Sequence, residues 1–223
     1  GLLTPASGGI TIDGVPVKGV QKSVGYLFQQ DALLPWKTAL QNVELGMRFR
    51  GMAAKEREER ARAWLGKVGL SGFEHRYPHQ LSGGQRKRVQ MAQALIVEPK
   101  VILMDEPFSA LDIHTRHLMQ NELLRLWQED RRSVVLITHD LEEAIALGDR
   151  VVVLSAGPAS RVVRSFDVDL ERPRNVAEIK LDQRFTDLYR DIWACLRGEV
   201  EKSYARQDLS LIHISEPTRQ EAI

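Results

Sequence analysis

The chain has 223 residues, with 31 Lys plus Arg against 30 Asp plus Glu and a net charge of +1, a balance that excludes a strongly electrostatic nucleic-acid binder. With 43% hydrophobic and 27% charged residues the composition excludes wholesale disorder and suits one large domain or two small ones. The single cysteine, Cys195, excludes an internal disulfide and a cysteine metal cluster; it reads as a buried helix residue of a protein from a reducing compartment.

Ile10-Thr-Ile-Asp-Gly14 followed by Val15-Pro-Val17 alternates apolar and polar residues around an Asp-Gly turn, the pattern of a β-hairpin. Ser23 to Phe28 is a second β-like run. From Leu40 to about Leu70 the spacing is helical, and the mixed charges of Lys55-Glu-Arg-Glu-Glu-Arg60 read as a solvated face with i,i+4 pairs. Arg86 to Val97 is a further helical run. Short apolar runs at Val101–Met104, Ser133–Thr138 and Arg150–Leu154 alternate with helical-period segments at Leu111–Trp127 and Asp140–Leu147. Strands alternating with helices predict a largely parallel sheet covered by helices. Asp169 to Asn175, with Pro173, breaks the pattern; Phe185, Leu188, Tyr189, Ile192, Trp193 and Leu196 then take the helical spacing of a packed stripe. No aliphatic run approaches the ~20 apolar residues of a membrane-spanning helix.

Gly1-Leu-Leu-Thr-Pro5 has neither an initiator Met nor the basic start of a signal peptide, so the chain is expected to be an interior piece of a longer one. At the other end, Leu209 to Arg219 resembles the in-frame translation of a transposase adapter used for sequencing libraries. Residues 207–223 are therefore expected to form an artefactual or disordered tail, and His213 is no ligand candidate.

Leu81-Ser-Gly-Gly-Gln85 stands directly before a helical run. Two glycines let backbone approach a ligand closely, Ser82 can cap the helix, and the helix N-terminus favours an anion. Next comes Val101-Ile-Leu-Met-Asp-Glu-Pro107, a strand that ends in two carboxylates. Ligands of a parallel α/β sheet sit at the carboxyl ends of its strands, where Asp105 could hold Mg²⁺ and Glu106 could polarise a water. Asp112, closing Ser109-Ala-Leu-Asp112, suits the N-cap of the following helix. Thr138-His139-Asp140 puts His139 at the same sheet edge, able to donate to a phosphate oxygen. Phe28-Gln29 closes an early strand, and the glutamine amide there can contact a metal-bound water.

In this order and spacing the elements resemble the ATP-binding cassette (ABC) ATPases over residues 1 to about 206. The resemblance implies an α/β fold: a P-loop NTPase-like ABC nucleotide-binding domain with a mostly parallel core sheet and an inserted helical subdomain at about residues 38–98. It implies ATP and Mg²⁺ as cofactors, with Asp105 and Gln29 at the metal, Glu106 as catalytic base and His139 on the γ-phosphate. Ser82, Gly83, Gly84 and Gln85 of the signature, Gln29 of the Q-loop and Asp112 of the D-loop would contact nucleotide. It also implies pairing with a second ABC subunit as a head-to-tail homodimer, with each signature serving the partner's ATP. Transmembrane permease subunits and, indirectly, a solute-binding protein would complete the assembly on the cytoplasmic face of the inner membrane. Leu33-Leu-Pro-Trp36, Arg86-Lys-Arg-Val89, Phe108-Ser-Ala-Leu-Asp112 and the Phe185–Leu196 helix look most like importers of nitrate, taurine and aliphatic sulfonates.

One departure is large: no G-x-x-x-x-G-K-[ST] occurs in the 223 residues. The first strand and the phosphate loop are expected upstream of Gly1, and the chain alone is expected to be inactive. The rival readings are a soluble ABC ATPase acting on DNA or ribosomes and an interaction module that does not hydrolyse ATP. The first lacks support here because the signature precedes Asp105 by one short helix without a heptad array, and one cassette is present. The second conflicts with an intact Glu106 and His139.

Overall fold

The computed structural model describes residues 1, 3–30, 32–157 and 159–214, with side chains through residue 199. The chain divides between His139 and Asp140 into two compact units, at a point where the sequence carries no change of composition.

In the first unit, Thr11–Ile12 (β1) and Val15–Pro16 (β2) pair antiparallel, with Ile12 opposite Val15. Asp13 and Gly14 between them have φ of 50° and 76°, the backbone that an Asp-Gly hairpin turn adopts. Val24–Leu27 (β3), Val101–Asp105 (β4) and Ser133–Ile137 (β5) form a parallel sheet in the order β3-β4-β5, with Leu27 opposite Met104 and Asp105 opposite Ile137. Central β4 buries Ile102 and Met104. β5 differs from the covered strand expected of its sequence: Val134, Val135 and Ile137 are 37%, 52% and 59% exposed. Among the described residues it has a hydrogen-bonded neighbour on one side only, and an apolar run reports the tendency to be covered, not the cover.

Between β3 and β4 lie four helices, Ala39–Val43 (α1), Leu45–Phe49 (α2), Ala54–Lys67 (α3) and Gly83–Leu95 (α4). Thr38 and Gln41 make a capping box that starts α1. Fully buried Asn42 accepts from the Leu34 amide at 2.8 Å and shares its own amide protons among the carbonyls of Leu34, Lys37 and Thr38. The segment leading out of β3 is thereby tied to α1. Val43, Met47, Leu65 and Met91 form the apolar centre of this helical region. After β4, Asp112 caps Ile113–Glu129 (α5), and the Trp127 indole donates to the Arg132 carbonyl at 2.8 Å at the entry to β5.

The second unit contains Leu141–Leu147 (α6), Arg150–Leu154 (β6), Val162–Asp167 (β7) and Gln183–Ile214 (α7). The expectation that β6 joins the parallel sheet is corrected: it pairs antiparallel with β7, Val151 opposite Phe166. The connection from Leu154 to Val162 is shorter than the dozen or so residues that a parallel crossover needs. Arg174, with its side chain 1% exposed, donates to the carbonyls of Gly148 at 2.6 Å, Leu170 at 2.9 Å and Ala146 at 3.3 Å. These include acceptors that the end of α6 leaves without intrahelical partners. Burial, then the neighbouring Arg172, pulls the Arg174 guanidinium down to about 10, with Asp149 opposing.

On α7, Phe185 and Ile192 are buried and Leu188, Tyr189 and Leu196 half-buried, but Trp193 is 54% exposed. The expected stripe is thus narrower than its spacing suggested, and Cys195 is half-buried rather than fully enclosed. The tail expected from residue 207 overlaps α7, which runs on to Ile214. Gln207 to Ile214 contains no glycine or proline to end a helix. The remainder of that segment, 215–223, lies outside the described residues.

Candidate active site

β3, β4 and β5 all run in one direction, so their carboxyl ends open on one edge of the sheet. Asp105 is the last residue of β4 and Glu106 the first beyond it. Glu106 has φ of 41°, a left-handed conformation that a residue with a Cβ seldom holds. Its amide donates to the Ile137 carbonyl at 2.9 Å, joining the ends of β4 and β5. Its carbonyl accepts from the Ser109 hydroxyl at 3.1 Å and the Ser109 amide at 3.3 Å. Three hydrogen bonds therefore fix the Glu106 backbone from which the carboxylate leaves the sheet.

That carboxylate receives one residue at each oxygen. Gln29, beyond the end of β3, donates its Nε2 proton to Oε2 at 3.0 Å, and His139, beyond the end of β5, places Nδ1 3.1 Å from Oε1. Glu106 is 27% exposed and His139 72% exposed. With Nδ1 spent on the carboxylate, the imidazole keeps Nε2 for a ligand; only the imidazolium form donates from both nitrogens. Beside this trio the Asp105 carboxylate accepts from the Tyr26 hydroxyl at 3.4 Å. Partial burial, then the Asp105 charge, holds the Tyr26 hydroxyl above its ordinary value, so it stays protonated as a donor.

The structure thus brings Gln29, Asp105, Glu106 and His139 to one sheet edge. Ser82, Gly83, Gly84, Gln85 and Asp112 sit in different local arrangements. Ser82 Oγ accepts from the Gln85 amide at 3.2 Å while Gln85 Oε1 accepts from the Ser82 amide at 2.9 Å, a capping box that opens α4. Both side chains are therefore occupied in starting the helix. A Cβ on Gly84 would come within 2.8 Å of Thr115 Cγ2, so the absence of a side chain there lets the first turn of α4 approach the first turn of α5. Asp112 accepts from the Thr115 amide at 3.0 Å, and this backbone bond holds its carboxyl below the usual carboxylate range.

Among the described residues no three His, Cys, Asp or Glu side chains cluster as a metal cage. The donors at the sheet edge are the Asp105 carboxylate and the Gln29 Oε1, both hard oxygens. That set fits Mg²⁺, which takes few protein ligands and keeps the rest of its shell as water and phosphate oxygens.

Three residues near this edge were not singled out by the sequence. Tyr26 reads as a strand residue. Lys87 and Gln90 stand in a basic helical run, yet they are 4% and 2% exposed and bond to carbonyls just after β3. The signal was in the periodicity: Lys87, Gln90, Met91 and Leu95 follow the i, i+3, i+4, i+8 course of a buried stripe. A cleft of about 270 Å³ also opens beside β3, lined by Gly25, Tyr26, Phe28, Phe49, Gln90 and Val97 among others. Phe49 at its rim is 80% exposed.

The family described as ABC transporter matches residues 1–109. An uncharacterised ABC transporter ATP-binding protein of Methanocaldococcus jannaschii is 45% identical over 203 residues, covering 91% of this chain and 74% of its own length. The taurine import ATP-binding protein of Pseudomonas fluorescens is 47% identical over 190 residues, covering 84% and 72%. A dimeric ATP-binding cassette bound to ADP and phosphate superposes with a TM-score of 0.65 at 36% identity, over 76% of this chain and 77% of its own. The subunit cbiO1 of an ABC transporter complex from Clostridium perfringens also gives 0.65, at 26% identity over 82% and 72%.

Proposed function

Because the chain belongs to the ABC transporter ATP-binding proteins, ATPases that use ATP with Mg²⁺, we propose that its sheet edge is the hydrolytic half of an importer's ATP site. The observation that carries this reading is the convergence of Gln29 and His139 on the two oxygens of Glu106. Glu106 would orient the attacking water and take its proton; Gln29 and His139 hold the carboxylate so that a remaining lone pair faces that water. His139 Nε2 adds a hydrogen bond to the γ-phosphate oxygens. Asp105 and Gln29 Oε1 would hold Mg²⁺, which would supply neutralisation of the phosphate charge.

Ser82, Gly83, Gly84 and Gln85 present the N-terminus of α4 to the nucleotide of a second copy of the chain, with Asp112 at the same interface. The dimeric nucleotide-bound cassette is the support for that pairing. The groups that cradle the phosphates within one copy belong to a G-x-x-x-x-G-K-[ST] segment, which the 223 residues do not contain.

The similarity to taurine import subunits supports an importer of taurine or a related sulfonate or nitrate-type anion. Permease subunits would meet the cassette at the cleft beside β3, where exposed Phe49 offers an apolar contact; a solute-binding protein would deliver the anion. Among the described residues no helix is long and apolar enough to cross a membrane, which suits a peripheral subunit on the cytoplasmic face.

The test is titration calorimetry and phosphate release with two proteins: the 223-residue chain, and a chimera with a relative's phosphate-loop segment ahead of Gly1. The chain alone should show no saturable micromolar MgATP binding. The chimera should bind and hydrolyse, and His139→Ala should slow its turnover by about 10²-fold. A chimera that binds MgATP without hydrolysing it, or a His139→Ala chimera at the full rate, contradicts the reading.

A further inference from the structure

The ammonium of Lys87 lies inside the protein, 4% exposed, on the α4 helix that begins with Ser82. Its donors reach the Gln90 Oε1 at 2.9 Å, the Phe28 carbonyl at 3.1 Å and the Gln29 carbonyl at 3.5 Å. Gln90, 2% exposed, in turn donates Nε2 to the Gln30 carbonyl at 3.0 Å and to the Phe28 carbonyl at 3.4 Å. Two side chains one helical turn apart therefore gather three consecutive carbonyls of the strand exit that carries Gln29. The packing beneath is equally close: a Cβ on Gly25 would stand 3.1 Å from the Ala94 carbonyl of the same helix.

Taking an ammonium out of water is costly unless its protons are satisfied. A lysine whose only task was to fill space beside β3 would be served better by methionine or leucine. What a cation adds is charge-assisted bonds to carbonyls that a loop would otherwise offer to water. The backbone of Gln29 is then fixed from behind while its side chain reaches forward to Glu106 at 3.0 Å. We propose that Lys87 and Gln90 form a buried clasp that positions Gln29 against Glu106, making the signature helix and the Gln29 segment one mechanical piece. Lys87 is a positioning residue that acts through the backbone of Gln29. The role given to Gln29 rests on the hydrolytic site proposed above, whereas the clasp is a property of the chain itself.

The geometry makes a spectroscopic test possible in the 223-residue chain without nucleotide. The Gln29 side-chain amide protons, observed by NMR, report the bond to Glu106 through their shift and their rate of exchange with solvent. Glu106→Ala supplies the reference for the released amide. In Lys87→Met and, independently, in Gln90→Leu, the Gln29 signals should move to the Glu106→Ala position and exchange at least about tenfold faster. Backbone amides of β4 and α5 should keep their wild-type protection. If the Gln29 signals stay at wild-type positions in both variants, the clasp does not position Gln29. If protection falls equally across β4 and α5, Lys87 and Gln90 only stabilise the unit, and the proposal is again overturned. Neither outcome depends on hydrolysis, so a failed ATPase assay would remove the function proposed for Glu106 while leaving the clasp standing.

Discussion

Glu106 keeps a backbone conformation that costs a residue with a side chain about 1–3 kcal/mol, and it does so at φ 41° between two donors to its carboxylate. The carboxylate so positioned gathers Gln29 from beyond β3 and His139 from beyond β5. The neighbouring glycines divide their work differently. Gly84 has no room for a Cβ because Thr115 Cγ2 stands 2.8 Å away, whereas the nearest atom for Gly83 is the Arg86 guanidinium at 3.9 Å. Gly84→Ala should therefore lose about 1 kcal/mol in urea unfolding, overpacking outweighing the gain in helix propensity. Gly83→Ala should be neutral or slightly stabilising, and equal effects at the two positions would contradict this division. At this scale the acidic pair, His139 and Gln29 were legible because their residue types sit beyond apolar strands. Lys87 was not: within Arg86-Lys-Arg-Val89 a basic side chain reads as solvated, and only the tertiary position of Phe28 to Gln30 turns the middle one inward.

Strands announced themselves wherever an apolar run met a turn. β3, β4 and β5 fall where the sequence puts them, and the Asp13-Gly14 hairpin follows from its turn residues alone. β7 was harder, since Val162-Val-Arg-Ser-Phe-Asp167 alternates only in part and its partner β6 looks like one more parallel strand. The pairing direction comes from the short link between them, which apolar pattern does not encode. Arg174 belongs to the same class of hidden residue. It serves carbonyls at the end of α6 and around Leu170 from the segment 169–175, which reads as polar loop. Arg174→Met removes all these donors at once and leaves buried carbonyls unpaired. The second unit should lose at least about 2 kcal/mol of stability by chemical denaturation. A loss within about 0.5 kcal/mol, as for an ordinary surface change, would mean that water replaces the guanidinium.

The molecule carries both the sheet edge proposed for hydrolysis and a helix N-terminus at which Ser82 and Gln85 bond to each other. A second copy supplies the simplest way to use both, and the similarity to a dimeric nucleotide-bound cassette points the same way. Sequence spacing marks the two sets of residues, but distance between motifs along a chain carries no statement about which copy each would face. The central claim is that Glu106 performs hydrolysis in a dimer, and Glu106→Gln isolates it by keeping size and hydrogen-bonding reach while removing the carboxylate. In the chimera carrying a phosphate loop, hydrolysis should fall by about 10²–10⁴-fold while ATP binding persists. On size-exclusion chromatography the variant should then elute as a dimer with ATP and as a monomer without it, whereas Ser82→Arg should stay monomeric in both. A Glu106→Gln protein that hydrolyses ATP at the unmodified rate, or that remains monomeric in saturating ATP, would contradict the account.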